Sequence, residues 1–152
     1  MAWWDNLKNL IAPKPASQVV TISYVPRLAV GVVLTGGVAA TYGNLAELLS
    51  DAGNTSDCWV EGLYLQSPNT AATSYSVCLS REAAGGAPAK IEAEVPLLTQ
   101  TTVVADHHDF VKLDPPIYFP SGTGIRAACA DVAVGGKTIR VWAVISRGRS
   151  SV

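Results

Sequence analysis

Charge and cysteine are both scarce in this sequence. Asp, Glu, Lys and Arg make up 15% of its 152 residues, where about 25% is typical of soluble domains. The 11 basic residues are balanced by 12 acidic ones, and no basic stripe provides an electrostatic footprint for nucleic acid or an anionic membrane. The three cysteines, Cys58, Cys78 and Cys129, form no CxxC pair. We therefore expect them to be small buried hydrophobic side chains in a reducing compartment.

Membrane spans and catalytic motifs are absent as well. The apolar stretch at residues 28–40 is shorter than the roughly 20 residues that a membrane-spanning helix needs. No G-x-S-x-G motif marks a nucleophilic serine. Residues 135–138 read GGKT, but Asp131 stands where a phosphate-binding loop requires its first glycine. The sequence therefore predicts a protein that is not an enzyme and that needs no cofactor.

Two adjacent histidines are the best candidates for metal binding or acid–base chemistry. Residues 106–109 read DHHD, and imidazole and carboxylate groups are suitable zinc ligands. In a strand, however, His107 and His108 would point to opposite faces and could not share one ion. Nothing in the sequence marks a third ligand. We expect a polar loop between strands here, and keep His107 and His108 only as alternative metal ligands.

Alternating apolar and polar residues dominate the chain after residue 18. About eight short runs, rich in β-branched and aromatic residues, are separated by turn-forming clusters, a spacing typical of an antiparallel β-sandwich or barrel. The sequence also predicts a short helix or turn over 44–52 and a β-hairpin around Gly135 and Gly136. Strands are expected over 19–25, 28–34, 58–66, 73–81, 125–134 and 138–146, with another strand or two over 91–98 and 101–105. Residues 109–113 are ambiguous, and 117–119 lead into the turn at 120–124.

The last predicted strand is apolar on both faces. One face carries Ile139, Val141, Ala143 and Ile145, and the other carries Arg140, Trp142 and Val144. Such a strand is expected to be partly covered on its outer side, as in a sandwich that packs within an assembly. If the domain instead binds carbohydrate, Trp59 and Trp142 are the candidate stacking platforms.

The first twelve residues form the one convincing amphipathic helix of the sequence, and a Pro-rich linker follows it. We therefore divide the chain into an arm with its linker, residues 1–17, and a β-sandwich domain, residues 18–152. Tryptophan is enriched at interface hot spots, so we expect the arm to dock on a neighbouring subunit. Folding back onto its own sandwich is the alternative. The candidate interface residues of the arm are Trp3, Trp4, Leu7, Leu10 and Ile11.

Several segments between about residues 40 and 146 resemble one family. Residues 116–129 read PIYFPSGTGIRAAC, and 138–144 read TIRVWAV. They are similar to the P-L-x-I-P-A-G-S-R-I-A-A-R segment and the V-R-V-x-V strand of small β-sandwich virion proteins of tailed bacteriophages. Residues 42–49, YGNLAELL, resemble the Y-G-x-x-A-E-L-I of that family, as do residues 59–63, WVEGL. Gly124 stands where arginine is usual in the family, and Arg126 stands where a small residue is usual.

The resemblance implies a jelly-roll-like sandwich that acts as a structural component of a virion. We therefore expect a capsid decoration (cement) protein that is made in the bacterial cytoplasm and stabilises the shell through apolar interfaces. The expected partners are further copies of this chain, as a homotrimer, and the major capsid protein or another virion protein, with no nucleic acid and no membrane. A tail, neck or fibre component, or a carbohydrate-binding or adhesin module, is the alternative.

Overall fold

The computed structural model describes an all-β protein. It covers residues 20–27, 31–37, 41–67, 75–96, 107–131 and 138–148, of which residues 95, 96, 107, 108 and 131 are described by their backbone. The strands are β1 (Thr21–Val25), β2 (Val32–Thr35), β3 (Ala46–Leu49), β4 (Cys58–Ser67), β5 (Tyr75–Ser80), β6 (Ala93–Pro96), β7 (His107–Phe119), β8 (Ile125–Asp131) and β9 (Thr138–Arg147). No helix suited to crossing a bilayer occurs in these ranges.

The strands form two antiparallel sheets. In the five-stranded sheet the order is β1-β9-β4-β7, and β2 also pairs with β9; the four-stranded sheet has the order β3-β8-β5-β6. Val25 pairs with Ala143 and Val32 with Val141, so β1 and β2 follow one edge of β9 with an interruption opposite Trp142. If β1 and β2 are counted as one strand, the strand pairs are nested. The first strand (β1 with β2) pairs with the last (β9), the second (β3) with the second-last (β8), the third (β4) with the sixth (β7), and the fourth (β5) with the fifth (β6).

The core lies between the sheets and is formed by the inward residues of both. Because successive strand residues point to opposite faces, buried and half-buried positions alternate along most of β4 and the first half of β9. β8 is buried at every position from Ile125 to Ala130. Burial of one large apolar side chain contributes roughly 1.5–3 kcal/mol. Phe119, Leu63, Leu79, Ile125, Ile139 and Ile145 are among the largest of the fully buried residues. Ile139, Val141, Ala143 and Ile145 do share the inner face, which confirms the alternation predicted for the last strand.

Residues 44–52, predicted as a short helix or turn, contain no helix, so the helical alternative is wrong. Residues 46–49 instead form β3, which pairs with β8, and residues 51–53 form a turn. Leu45, Leu48 and Leu49 are spaced as on a helix, but a register shift between Glu47 and Leu49 lets Leu48 and Leu49 both reach the core. Leu45 belongs to a separate cluster. Tertiary packing thus overrides a helical spacing only a few residues long.

The predicted hairpin around Gly135 and Gly136 is also wrong. These two residues lie outside the described ranges, but the strands that flank them belong to different sheets: β8 pairs with β3 and β5, whereas β9 pairs with β1, β2 and β4. A diglycine between two strand-like runs predicts only a reversal of the chain. Which strand becomes the neighbour depends on long-range packing, and here the chain crosses from one sheet to the other.

The predicted polar loop at the histidines is replaced by the start of a strand. His107, His108 and Asp109 open β7, opposite Ser67, Gln66 and Leu65 of β4. Four consecutive polar residues, 106–109, indicate a loop. Pairing of His107 and His108 with the end of β4, a long neighbouring strand, instead extends β7 across them. The same strand continues without a break to Phe119.

Candidate functional site

The outer side of the five-stranded sheet carries large apolar side chains at most of its outward positions. The register places them in rows across β1, β9, β4 and β7. One row contains Trp142, Tyr64 and Phe110; a second contains Ile22, Ser146, Trp59 and Tyr118. We call this surface the aromatic face, and it consists of Ile22, Tyr24, Val33, Trp59, Tyr64, Phe110, Tyr118 and Trp142.

The centre of the aromatic face is a row of three rings on three adjacent strands. Tyr64 pairs with Trp142 on one side and with Phe110 on the other. The Tyr64 and Trp142 ring centroids lie 5.5 Å apart with the planes at 66°, an edge-to-face arrangement that aromatic pairs favour. Gly62 allows the Phe110 ring to lean over β4, because a Cβ at position 62 would lie 2.7 Å from that ring.

A second ring pair lies at the end of the face nearest the β7–β8 turn. The centroids of Trp59 and Tyr118, which face each other across β4 and β7, are 5.1 Å apart. Ile22 occupies the same row at the β1 edge, separated from Trp59 by Ser146. The Ser146 hydroxyl donates a hydrogen bond to the Glu61 carboxylate. The row therefore presents apolar carbon at its two ends and a satisfied polar pair in the middle.

Several of these side chains are exposed to an extent that apolar residues rarely show in a group. Ile22 is 65% exposed, Tyr24 56%, Val33 54% and Phe110 49%. Single exposed apolar residues are normal, but a contiguous group on one surface marks an interaction site. The aromatic face can bind another surface by dispersion and ring stacking, and it presents little charge. The charged side chains on it are Lys112, Glu61, which accepts from Ser146, and Arg140, whose guanidinium lies 3.5 Å from Gln66 Oε1.

The outer side of the four-stranded sheet differs because the chain itself covers it. Gly85 N–H donates to Leu45 O, and Leu45 N–H donates to Gly86 O, so the loop after β5 is fastened to the segment before β3. Leu45 packs with Cys78 and Ala128, and Tyr42 lies against them. Burial raises the pKa of the Cys78 thiol to about 11. We call this surface the covered face, and it consists of Leu45, Cys78, Ser80, Arg126, Ala128 and Ala130.

One end of the covered face is closed by the Arg126 side chain. Arg126 is 5% exposed, and its guanidinium donates to Asp51 at 2.9 Å, Glu47 at 3.2 Å and the Arg81 carbonyl at 3.2 Å. The Arg126 hydrogen bond, aided by the Gly124 N–H, holds the pKa of Asp51 below its ordinary value. A Cβ at position 124 would lie 2.6 Å from the guanidinium carbon. Glycine at 124 and arginine at 126 therefore fit one another.

Buried polar contacts around Asn54 fasten the loops at one end of the sandwich. The Asn54 amide nitrogen donates to Pro120 O at 2.9 Å and Thr123 O at 2.8 Å, and its oxygen accepts from the Arg147 guanidinium at 3.1 Å and from Cys58 Sγ at 3.6 Å. These bonds occupy all the positions that a buried amide must satisfy. A cleft of about 460 Å³ opens beside them and is lined in part by Arg147. That guanidinium is already bonded to Asn54 and to Ser56.

The predicted site residues are distributed unevenly over the structure. The arm residues Trp3, Trp4, Leu7, Leu10 and Ile11 lie outside the described ranges, as does the predicted strand over 101–105. The side chains of His107 and His108 are likewise not described. In the part of the chain that the structure describes, no group of three or more His, Cys, Asp and Glu side chains could hold a metal ion. All three cysteines are buried, as predicted, and none forms a disulfide.

The sequence pattern identified part of the aromatic face and missed the rest. Trp59 and Trp142 were candidates, and the structure places both on one surface. Tyr24, Phe110 and Tyr118 were missed. Their signal was available in principle, because Tyr24 and Tyr118 each precede a buried residue on their strand, and Phe110 lies between two half-buried residues. What the sequence lacked was the strand order that brings these positions side by side.

Comparison with known proteins leaves the function to be argued from this geometry. No family model matches the chain, and no curated protein matches it.

Proposed function

We propose that this chain is a non-enzymatic structural component of a bacteriophage virion, and first of all a capsid decoration protein. The nested strand pairing is the arrangement of a jelly roll, an eight-stranded double sheet used in viral capsid and lectin domains. This topology agrees with the family that residues 42–49 and 116–144 resemble. The protein would reside on the virion after synthesis in the bacterial cytoplasm.

The observation that carries the proposal is the exposed aromatic face. Its rings and aliphatic side chains are large enough to anchor an interface, and aromatic residues are enriched where interfaces gain most of their energy. Apolar surface removed from water contributes about 25 cal/mol per Å². A decoration protein needs such a surface to associate with other copies of itself on a preformed shell. The expected partners are other copies of the chain, as a homotrimer, and the major capsid protein or another virion protein.

The buried polar groups support a structural role. Arg126 and Asn54 are the two buried polar side chains with the most hydrogen bonds, and both join loops from different strands. Their hydrogen bonds stabilise the fold: Arg126 binds Glu47 and Asp51, and Asn54 binds Pro120 and Thr123 in the turn after β7. A rigid shell component requires buried polar side chains that hold its loops in place in this way.

Binding to particles tests the proposal. Particles from the virus whose genome encodes this chain, stripped of the protein, are mixed with the full-length chain and sedimented. We expect the wild type to co-sediment, and the variant carrying Tyr24→Ser and Phe110→Ser to remain in the supernatant. Ile91→Ser is the matched control, since Ile91 is also an exposed apolar residue, 39% exposed, but lies outside the aromatic face. No binding of wild type to any particle would refute the proposal.

Copy number separates the locations on a virion. A number of bound copies close to that of the major shell protein indicates decoration of the capsid. A few copies per particle would instead indicate a tail, neck or fibre component.

A carbohydrate-binding or adhesin module is the second candidate function. The specific observation in its favour is that two ring pairs, Trp59 with Tyr118 and Tyr64 with Trp142, lie on one surface. Aliphatic Ile22 and Val33 on the same surface favour a protein partner instead, because they offer a sugar neither stacking nor hydrogen bonds. A glycan array decides between them: binding that is lost in Trp59→Ala and Trp142→Ala would establish the sugar-binding function.

A further inference from the structure

The aromatic face has a candidate occupant in the chain itself. The described part of the chain begins at Val20 and enters β1 at Thr21. β1 is an edge strand of the five-stranded sheet, and its outward residues Ile22 and Tyr24 belong to the aromatic face. The 19 residues before Val20 therefore join the sandwich at a border of this surface.

The chemistry of the preceding residues matches the face. Residues 1–12 place two tryptophans, two leucines and an isoleucine at helical spacing, with polar residues between them. A segment with such an apolar side needs a partner to bury it. The aromatic face offers apolar carbon and few charges, as that partner should.

The dimensions match as well. If residues 1–12 form the predicted helix, it is about 18 Å long. The rows from Arg140 to Ser146 extend about 20 Å along β9, and the four strands span about 15 Å across. Residues 13–20 can stretch to about 26 Å, which is enough to let the segment reach any row of the face.

We infer that the aromatic face is the docking site of the N-terminal segment, residues 1–12, of this chain. The inference rests on the proposed role of the face as an interface and names what fills it. The Trp3 and Trp4 side chains would lie over the exposed rings, and the polar side of the segment would face water. The covered face needs no such cover, because the loop at Gly85 and Gly86 already supplies one.

Cross-linking of two engineered cysteines tests the inference in the full-length chain. Leu7→Cys is combined with Lys112→Cys, a change at an exposed outward position between the rows of the face. The control combines Leu7→Cys with Ala84→Cys, which lies in the exposed loop on the other side of the sandwich. Because Cys58, Cys78 and Cys129 are all 0% exposed, a short bis-maleimide reports on the engineered thiols. Cooperative unfolding of each variant is checked first.

The inference predicts that the Leu7–Lys112 pair cross-links about tenfold faster than the control pair, because docking holds the two thiols at a high effective concentration. A product of monomer mass and a product of dimer mass both support docking, and they identify the segment as the chain's own or a neighbour's. Equal rates for the two pairs would overturn the inference. Protection of the aromatic face from solvent only when the protein is bound to particles would also overturn the inference, because the shell protein would then be the occupant of the face.

The outcomes separate this inference from the proposed function. Particle binding without preferential cross-linking refutes the docking of the segment and leaves the virion role intact. Preferential cross-linking in a protein that binds no particle refutes the virion role alone. A second variant tests the inference even if a cysteine variant misfolds. It carries serine in place of Trp3, Trp4, Leu7, Leu10 and Ile11. If the segment covers Tyr24 and Phe110, this variant must show increased solvent oxidation of both side chains.

Discussion

The outer faces of the two sheets are built from the same strand alternation but end in opposite states. On the four-stranded sheet the outward positions carry small residues such as Cys78 and Ala128, and both are fully buried. On the five-stranded sheet they carry large rings and aliphatic chains, and Tyr24 and Phe110 are about half exposed. One face is closed by a loop of the same domain, whereas the other is not closed by any described residue.

This difference shows that the size of the outward side chains determines whether a loop of the same domain can cover a sheet. Small outward residues let the loop approach closely enough for Leu45 to exchange two backbone hydrogen bonds with it. Large outward residues hold any neighbour further away but offer more area to bury, as an interface between molecules requires. The covered face therefore contributes to the stability of the fold, and the aromatic face contributes to association. Five substitutions, in four experiments, test this division.

The largest effect is expected at the centre of the covered face. Ala128→Asp places a carboxylate against Cys78 and Leu45, and the Arg126 guanidinium on the same strand is already bonded to Asp51 and Glu47. An uncompensated buried charge costs about 3–5 kcal/mol, and we expect the free energy of unfolding to fall by that amount in a denaturant titration. Ala84→Asp, in the exposed loop, is the control and should change stability very little. A tolerated Ala128→Asp would show that the covered face is open.

Truncation of the Leu45 side chain should have the next largest effect on the free energy of unfolding. Leu45→Ala removes a side chain that is 3% exposed, and we expect a loss of about 2 kcal/mol of unfolding free energy, the lower end for buried leucine. Val33→Ala, on the aromatic face, is the matched control. The division fails if the two changes cost the same.

The Arg126 cluster should make stability depend on acid pH. Arg126 and the Gly124 N–H lower the pKa of Asp51 below its ordinary 3.8. A carboxyl whose pKa is lower in the folded chain stabilises the fold above pH 3.8 and loses that effect as pH falls through the folded value. Asp51→Asn should therefore be less stable than wild type at neutral pH, with a difference that narrows below pH 3.8. Asp114→Asn is the control, and a difference that does not change with pH would contradict the ion pair.

The smallest effect on folding is expected on the aromatic face. Ile22→Ser and Tyr24→Ser alter side chains that are 65% and 56% exposed, and exposed substitutions usually stay within about 0.5 kcal/mol. Thermal unfolding of each variant measures this directly. A loss as large as that of Leu45→Ala would place the face within the core of the domain and remove the contrast between the sheets.

The sequence was sufficient for the strands but not for their partners. Alternation predicted β4, β5, β8 and β9 to within a few residues, since each has a buried side that a period of two reveals. The same alternation could not show that β8 and β9 belong to different sheets. It also predicted a helix or turn where β3 lies, because Leu45, Leu48 and Leu49 follow helical spacing. Only the register shift against β8 brings Leu48 and Leu49 both to the core.

The candidate site was predictable only in part for the same physical reason. Trp59 and Trp142 attract attention singly, but a face is a property of strand order, which brings Trp142, Tyr64 and Phe110 into one row from positions far apart in the chain. The covered face was also hidden, because nothing in the glycine-rich loop at 83–88 indicates that it will reach Leu45.

Hydroxyl-radical oxidation of individual side chains is the most direct measurement of whether the aromatic face is an occupied interface. The full-length protein is compared with the variant that has serine at the five apolar arm positions, and Tyr42, which packs partly buried against Cys78 and Ala128 of the other sheet, serves as the internal reference. We predict slow oxidation of Tyr24 and Phe110 in the wild type, fast oxidation in the variant, and slow oxidation of Tyr42 in both. Equally fast oxidation of Tyr24 and Phe110 in both proteins would contradict the account.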